Sequence, residues 1–600
     1  MPFGARLRDD GVSFRLWAPA AQRAELGIYA GPASQPVFHP AEADAEGWWE
    51  CSVPGSVAGT LYHWRIDGRL LVPDPASRQN PDGAHLPSAV VDPRTFEWDG
   101  DWKGRPWHET VLYELHVGTF TEEGSFRAAA DRLPELKDTG ITAVELMPVA
   151  QFGGRFGWGY DGVLPYAPHH AYGTPEDLKH FVQAAHRLGL MVFLDVVYNH
   201  FGPDGNYLSV YAPAFFSRTA GSPWGAAINF DGPDSRPVRD FFIHNALYWI
   251  QEYRIDGLRL DAVHAIVDTS ATHILDELSE AVRAAAPGRH VHLVLENEHN
   301  VYAHLAPSPE PGRFDGQWND DFHHALHVAL TGETHRYYRD YGEEPLALLG
   351  RAFTHGMLFE GSERRDGARL EVRPTPPQLL STLVNFAHNH DQVGNRPRGE
   401  RLSKLVPPEA ALLPTLLALL APPIPMLFFG EEFGAPEPFL YFADWEGELR
   451  EAVRAGRKRE FGHQDDHDLP DPCSEATFAA SRPDRSRLHG EAGRAWQASV
   501  RAALAARREH VTPRQPLLLQ GRHSTQRIGE RGLAVQWRYE DGRMLALEVN
   551  LGAETITVPP RPLGPVEAKC VFSHRWPEGT PAAEWPPYAA RWLLGAETTP

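Results

Sequence analysis

The sequence predicts a multidomain α/β protein in which a central (β/α)₈ barrel follows an N-terminal β-sandwich and precedes a C-terminal antiparallel β domain. Three observations carry this expectation. The chain has 600 residues, more than a single hydrophobic core organises, so several domains are expected. Both ends read as strands that alternate apolar and polar residues. The long middle alternates short apolar runs with longer segments of helical spacing, the pattern of a parallel sheet with right-handed crossovers.

The N-terminal region, residues 1–93, contains the alternating runs 12–17, 24–29 and 61–66, punctuated by Gly and Pro clusters, which predicts a sandwich. The Pro-rich stretch 73–93 reads as a linker laid along the next domain. The middle region, 94–515, supplies eight strand candidates: 111–116, 143–147, 191–197, 257–261, 292–296, 314–318, 383–386 and 425–429. Segments such as 175–188 lie between them with apolar residues at helical spacing. Eight strands suggest closure into a barrel. An open doubly wound sheet is the alternative, but no GxGxxG follows a strand to support a dinucleotide fold. Beyond Pro516 the helical spacing stops. Runs 532–537 and 544–549 then predict a small β domain over 516–600.

The hydrophobic fraction of 42% and charged fraction of 23% are those of an ordinary soluble globular chain. A net charge of −22 argues against nucleic acid or an anionic membrane as partner, because phosphate binding needs a basic surface. It suits a neutral substrate, or serves only solubility. Cys51, Cys473 and Cys570 form no CxxC pair and no metal-ligand spacing, so neither a disulfide framework nor a zinc site is expected. With no apolar signal core at the N-terminus and no membrane span, a reducing cytoplasm is the expected location.

The active site of such a barrel forms at the C-terminal ends of its strands. Polar residues recur there. Asp195 is followed by Asn199 and His200, Arg259 and Asp261 end the fourth run, Glu296 ends the fifth, and His390 and Asp391 follow the seventh. Packing alone explains such a set poorly, since buried charge is costly unless paired or used. Glycoside hydrolysis explains it well. A retaining enzyme needs a nucleophilic carboxylate and an acid/base carboxyl about 5–5.5 Å apart. Arg259, two residues from Asp261 on a strand, shares its face and can keep it ionised. Crowding by Asp261 and Asp391 would help Glu296 hold its proton.

These residues sit in blocks that resemble the α-amylase family. Asp195-Val-Val-Tyr-Asn-His200 is similar to its first signature block, and Gly257-Leu-Arg-Leu-Asp-Ala-Val-His264 to its second. Leu295-Glu296-Asn297 and Phe386-Ala-His-Asn-His-Asp391 are similar to the third and fourth. The resemblance implies that Asp261 is the nucleophile, Glu296 the proton donor and Asp391 the transition-state stabiliser. It implies that His200, Arg259 and His390 bind the glucosyl unit and that Tyr160 stacks on it. It also places His264, Gln392 and Asn395 among the substrate-binding residues. His264 follows Val263 where ordinary α-amylases usually carry Lys-His. Asn199 matches a structural calcium ligand of the family. The rest of an oxygen cage cannot be assembled, so no required metal and no cofactor are expected.

More selective stretches, 199–207, 224–230, 295–298 and 317–324, resemble the trehalohydrolase members of the family. Those cut the α-1,4 bond next to the terminal trehalose of maltooligosyltrehalose, downstream of a maltooligosyltrehalose synthase. Branching enzymes and maltodextrin or debranching hydrolases of the same family remain the alternatives. Recognition of the trehalose unit is expected from Asp320, Asp321, Phe322, His323 and His324. The acids would accept hydroxyl hydrogen bonds, or Asp320 or Asp321 would cap a helix over 322–330. Of the tryptophans, Trp158, Trp224 and Trp318 are expected near the barrel mouth. Trp17, Trp48 and Trp49 are expected to pack the N-terminal domain or its contact with the barrel. The Gly-rich run 153–157 reads as a flexible rim.

Overall fold

The computed structural model describes residues 2–31, 34–222, 224–306, 312–359, 380–461, 469–558, 566–581 and 583–596. Eight parallel strands close into a barrel: Leu112–Leu115, Ala143–Leu146, Met191–Val196, Gly257–Leu260, His292–Leu295, Gly316–Trp318, Leu383–Phe386 and Ile424–Phe428. Each pairs with its neighbours in parallel, and the last returns to the first with Leu112 opposite Met426.

The period of two along a strand divides the barrel interior into two storeys. The lower one is apolar. Leu112, Ala143, Phe193, Val294, Phe386 and Met426 pack there over Trp107, which plugs the bottom. Two glycines make room for that plug and filling. A Cβ on Gly316 would lie 2.5 Å from the Trp107 ring, and one on Gly257 would lie 2.6 Å from the Phe193 ring. Two residues further on, the same inward face carries charge: Glu114 after Leu112, Glu145 after Ala143, Asp195 after Phe193, and Arg259 after Gly257. All four are buried.

The helices outside follow ordinary rules. In Pro175–Arg187, Thr174 caps the N-terminus, Asp177 reaches back to the Thr174 N–H at 2.8 Å, and Pro175 stands at the first turn. The helix after the sixth strand, Asp320–Thr331, is capped by Asn319, not by Asp320 or Asp321. Both acids lie inside its first turn, where a helix N-terminus favours negative charge.

At the N-terminal end, one sheet contains Gly4–Arg8, Gly11–Trp17 and Trp48–Pro54, and a second contains Val37–Pro40, Ala24–Tyr29, Leu61–Ile66 and Leu70–Val72. Trp17, Trp48 and Trp49 are buried. Trp17 tilts against Phe215, and Phe3 touches both Trp48 and Phe241, so these rings fill the sandwich and its seam with the barrel. At the other end, a five-stranded antiparallel sheet includes Ser524–Ile528, Gly532–Arg538 and Arg543–Asn550. It packs on the helix Pro345–His355, and Trp537 donates to the Phe353 carbonyl at 2.8 Å. The three cysteines form no disulfide. No described helix is long and apolar enough to cross a membrane.

Candidate active site

Strand ends build the site. Asp261 and Glu296 each stand one residue past their strands, and Asp391 lies in the first turn of the short helix His390–Gly394. One buried guanidinium ties the cluster together. Arg259 Nη1 donates to Asp195 Oδ2 at 2.6 Å and to Asp261 Oδ1 at 3.0 Å. Its Nη2 lies 2.8 Å from Glu296 Oε2, an ion pair off-angle for a hydrogen bond. The guanidinium rests 4.0 Å above the Trp318 ring. A single group in contact with both Asp261 and Glu296 confines their carboxylates to one small volume.

Each carboxylate has further partners. Asn199 Nδ2 donates to Asp261 Oδ2 at 2.8 Å and to the Asp261 carbonyl at 2.9 Å. Its Oδ1 lies 2.5 Å from His200 Nδ1. Glu296 Oε2 accepts from the Ala262 N–H at 2.7 Å. Ala262 has φ +41°, a left-handed conformation that costs a non-glycine residue roughly 1–2 kcal/mol. That conformation turns the peptide after Asp261 toward Glu296. Asp391 accepts from Asn395 Nδ2 at 3.2 Å, and burial raises its carboxyl above the usual range.

Tyr160 donates to Asp195 Oδ2 at 2.7 Å and stacks on His390 with centroids 5.1 Å apart. Burial pushes Asp195 up to about 7 against the pull of Arg259. His390 is the counter-case. Glu114, 2.5 Å from its Nδ1, and Asp391, 3.6 Å from its Nε2, overcome burial and hold it at about 9, so it is a cation at neutral pH. Burial lowers His200 to about 4, leaving it neutral.

These groups face a cavity of about 760 Å³. Of the sequence-predicted residues, Asp261, Glu296, Asp391, Tyr160, His200 and His390 line it together. His264, Asp320, Asp321, His324, Gln392 and Asn395 line it too. Arg259 sits beneath them, fully buried. Phe322 and His323 are not brought there. Phe322 packs against Phe353, while His323 lies within hydrogen-bonding distance of the Ala387 carbonyl and the Tyr338 hydroxyl. On a helix, residues three and four apart are neighbours, so Asp320 and His324 share a face while Phe322, two from each, points away; His323 is turned from the cavity by its own partners, Ala387 and Tyr338.

Asp320 Oδ1 accepts from Gln392 at 3.0 Å. Asp321 is more fully occupied. Its oxygens accept from Asn300 Nδ2, the Tyr341 hydroxyl and the N–H groups of Leu358 and Phe359. Trp158 and Trp224 reach the cavity, but Trp318 is buried in the barrel beneath Arg259. The Gly-rich run is packed, not free: a Cβ on Gly154 would meet the Asp444 carbonyl at 2.4 Å, and Arg155 pairs with Asp444. Sequence reasoning missed Glu114, Glu298, Asn300 and Tyr441. Two carried a signal: Glu114 is an acid two residues from Leu112 on a barrel strand, and Glu298 closes the selective stretch 295–298.

Family models match three stretches: "Alpha amylase, catalytic domain" over residues 79–245, "Carbohydrate-binding module 48 (Isoamylase N-terminal domain)" over 2–77, and a domain of unknown function over 520–592. A malto-oligosyltrehalose trehalohydrolase of Saccharolobus solfataricus is 40% identical over 486 residues, covering 80% of this chain and 83% of that protein. One from Deinococcus radiodurans is 43% identical over 480 residues, covering 79% and 77%. Among solved structures, a provisionally named alpha amylase of Salmonella typhimurium superposes with a TM-score of 0.91 at 40% identity, covering 99% of each chain.

Proposed function

The chain belongs to the malto-oligosyltrehalose trehalohydrolases of the α-amylase family, and from that premise we propose that it releases trehalose from maltooligosyltrehalose by retaining hydrolysis at Asp261, Glu296 and Asp391. The observation that carries the residue assignment is the single guanidinium of Arg259 touching both Asp261 and Glu296.

In the first half of the reaction, the proton of Glu296 passes to the glycosidic oxygen. The bond from that oxygen to the anomeric carbon breaks, and Asp261 forms a bond to the same carbon from the opposite face. Trehalose leaves. Arg259 and Asn199 hold the Asp261 carboxylate in place. Asp391 stabilises the positive charge that develops on the sugar ring. Protonated His390 donates to a hydroxyl of the glucosyl unit, whose face lies on Tyr160. In the second half, Glu296 takes a proton from water, the resulting hydroxide attacks the anomeric carbon, and Asp261 departs. Two inversions return the original configuration.

Glu298, His264 and Asn300 lie beside Glu296 and so belong to the leaving-group half of the cavity, which must recognise the trehalose unit. The domain division 1–93, 94–515 and 516–600 is supported by the two N-terminal sheets, the barrel and the C-terminal sheet. A cytoplasmic place after a maltooligosyltrehalose synthase is supported by the unpaired cysteines and by the substrate, which such a synthase would supply. Incubation with maltotriosyltrehalose and with maltopentaose tests the reading. Trehalose plus maltotriose from the first, with slow attack on the second, is expected. New branch points, or equal attack on both, would replace the reading with a branching enzyme or a general maltodextrin hydrolase.

A further inference from the structure

One end of the cavity carries a carboxyl that the mechanism leaves unused. Asp161 immediately precedes the strand Gly162–Pro168 and lines the cavity. Its side chain makes no hydrogen bond or ion pair with any other described residue. Burial alone pushes it up to about 7. The carboxyl is half-buried and open to the cavity, so its acceptor oxygens are available to a ligand there.

Its surroundings are those of a sugar subsite. Tyr441 is close enough for the Asp161 charge to act on its hydroxyl. That hydroxyl also makes no hydrogen bond to a described residue. The Tyr441 ring meets Trp158 edge-on at 5.2 Å, and Trp445 continues the wall. Aromatic faces and a hydroxyl-accepting carboxyl together suit a pyranose, which offers C–H groups on its faces and hydroxyls at its rim.

The position in the cavity assigns the sugar. Glu296 protonates the leaving oxygen, so Glu298 and Asn300 in its own loop mark the leaving side. Asp161 follows Tyr160, which stacks on His390, and it acts on Tyr441, whose ring meets Trp158, itself in contact with His390. We propose that Asp161, with Tyr441 and Trp445, binds the second glucosyl unit of the retained maltooligosyl chain, with the carboxyl accepting from its hydroxyls. The assignment rests on the proposed trehalohydrolase reading.

Glucosyltrehalose and maltosyltrehalose differ by this one glucose and separate the possibilities. Asp161→Ala is expected to lower kcat/KM for maltosyltrehalose by about tenfold, mainly through KM, and to leave glucosyltrehalose within about twofold of the parent. Unchanged cleavage of glucosyltrehalose doubles as the check that the variant is folded. Asp161→Asn, which retains one acceptor, should fall between parent and Ala. An equal loss on both substrates, or none on either, would overturn the subsite. A parent enzyme that frees trehalose from neither would instead overturn the functional reading, and the subsite with it.

Discussion

Replacing Glu114 with Gln should lower the pH at which His390 gives up its proton by more than two units. The pair is buried, with Glu114 Oε1 2.5 Å from His390 Nδ1. A histidine held at about 9 instead of 6.5 is favoured as the cation by about 3 kcal/mol, at 1.36 kcal/mol per pH unit. The raised value sets the sign. The pair's contribution to stability is complete below pH 6.5 and is lost as pH rises through about 9. In Glu114→Gln the main opposing charge is gone, burial dominates, and His390 becomes neutral at pH 7. Its remaining N–H would serve the side-chain carbonyl of the introduced glutamine, leaving Nε2 with no proton for the substrate. A charge-assisted hydrogen bond is worth roughly 1.5–3 kcal/mol, so kcat/KM at pH 7 should fall at least about tenfold. The assay is the titration of the His390 ring followed by NMR from pH 5 to 10, with kcat/KM on maltotriosyltrehalose at pH 7 measured beside it. The His390 ring should titrate near 9 in the parent and below 6.5 in the variant. A variant that kept the parental His390 titration and rate would refute this account of His390.

Three further outcomes follow from the same contacts. Asp321→Ala strands four donors and should cost about 3 kcal/mol of stability, read by denaturant unfolding, while lowering activity on trehalose-ended and plain maltodextrins alike. A selective loss on the trehalose-ended substrate would restore the specificity role expected from sequence. Arg259→Lys keeps the charge but loses the planar fork, so kcat should fall by about 10²-fold through misplacement of Asp261 and Glu296; a loss under threefold would contradict the bracing role. Exhaustive chelation should leave activity intact, and a loss restored by calcium would refute the expectation of no required metal.

How far the sequence could be read depended on whether a residue's role is set by its own strand or by distant partners. The barrel strands were legible because each is a short run rich in apolar residues set between longer segments, and period two fixes which residues point inward. Asp261 and Glu296 stand one residue past such runs, while Asp391, five residues past its strand in a short helix, was singled out by the resemblance of its block to the family's fourth. Trp318 was not: its ring belongs to the barrel interior because Arg259, from a different strand, stacks on it. The run 320–324 looked like one specificity patch. Helical geometry splits it, sending Phe322 and His323 into the core and giving the cap to Asn319, one residue before the run. Asp161 carried no signal at all, because its meaning comes from the partners it lacks.

The assignment of Asp261 as nucleophile is tested most directly by trapping. Glu296→Gln, which still accepts a sugar from an α-maltosyl fluoride but cannot activate water to remove it, should accumulate a covalent maltosyl adduct. Peptide mapping by mass spectrometry should place that adduct on Asp261. An adduct on another carboxylate, or steady turnover of the fluoride with no adduct, would contradict the mechanism.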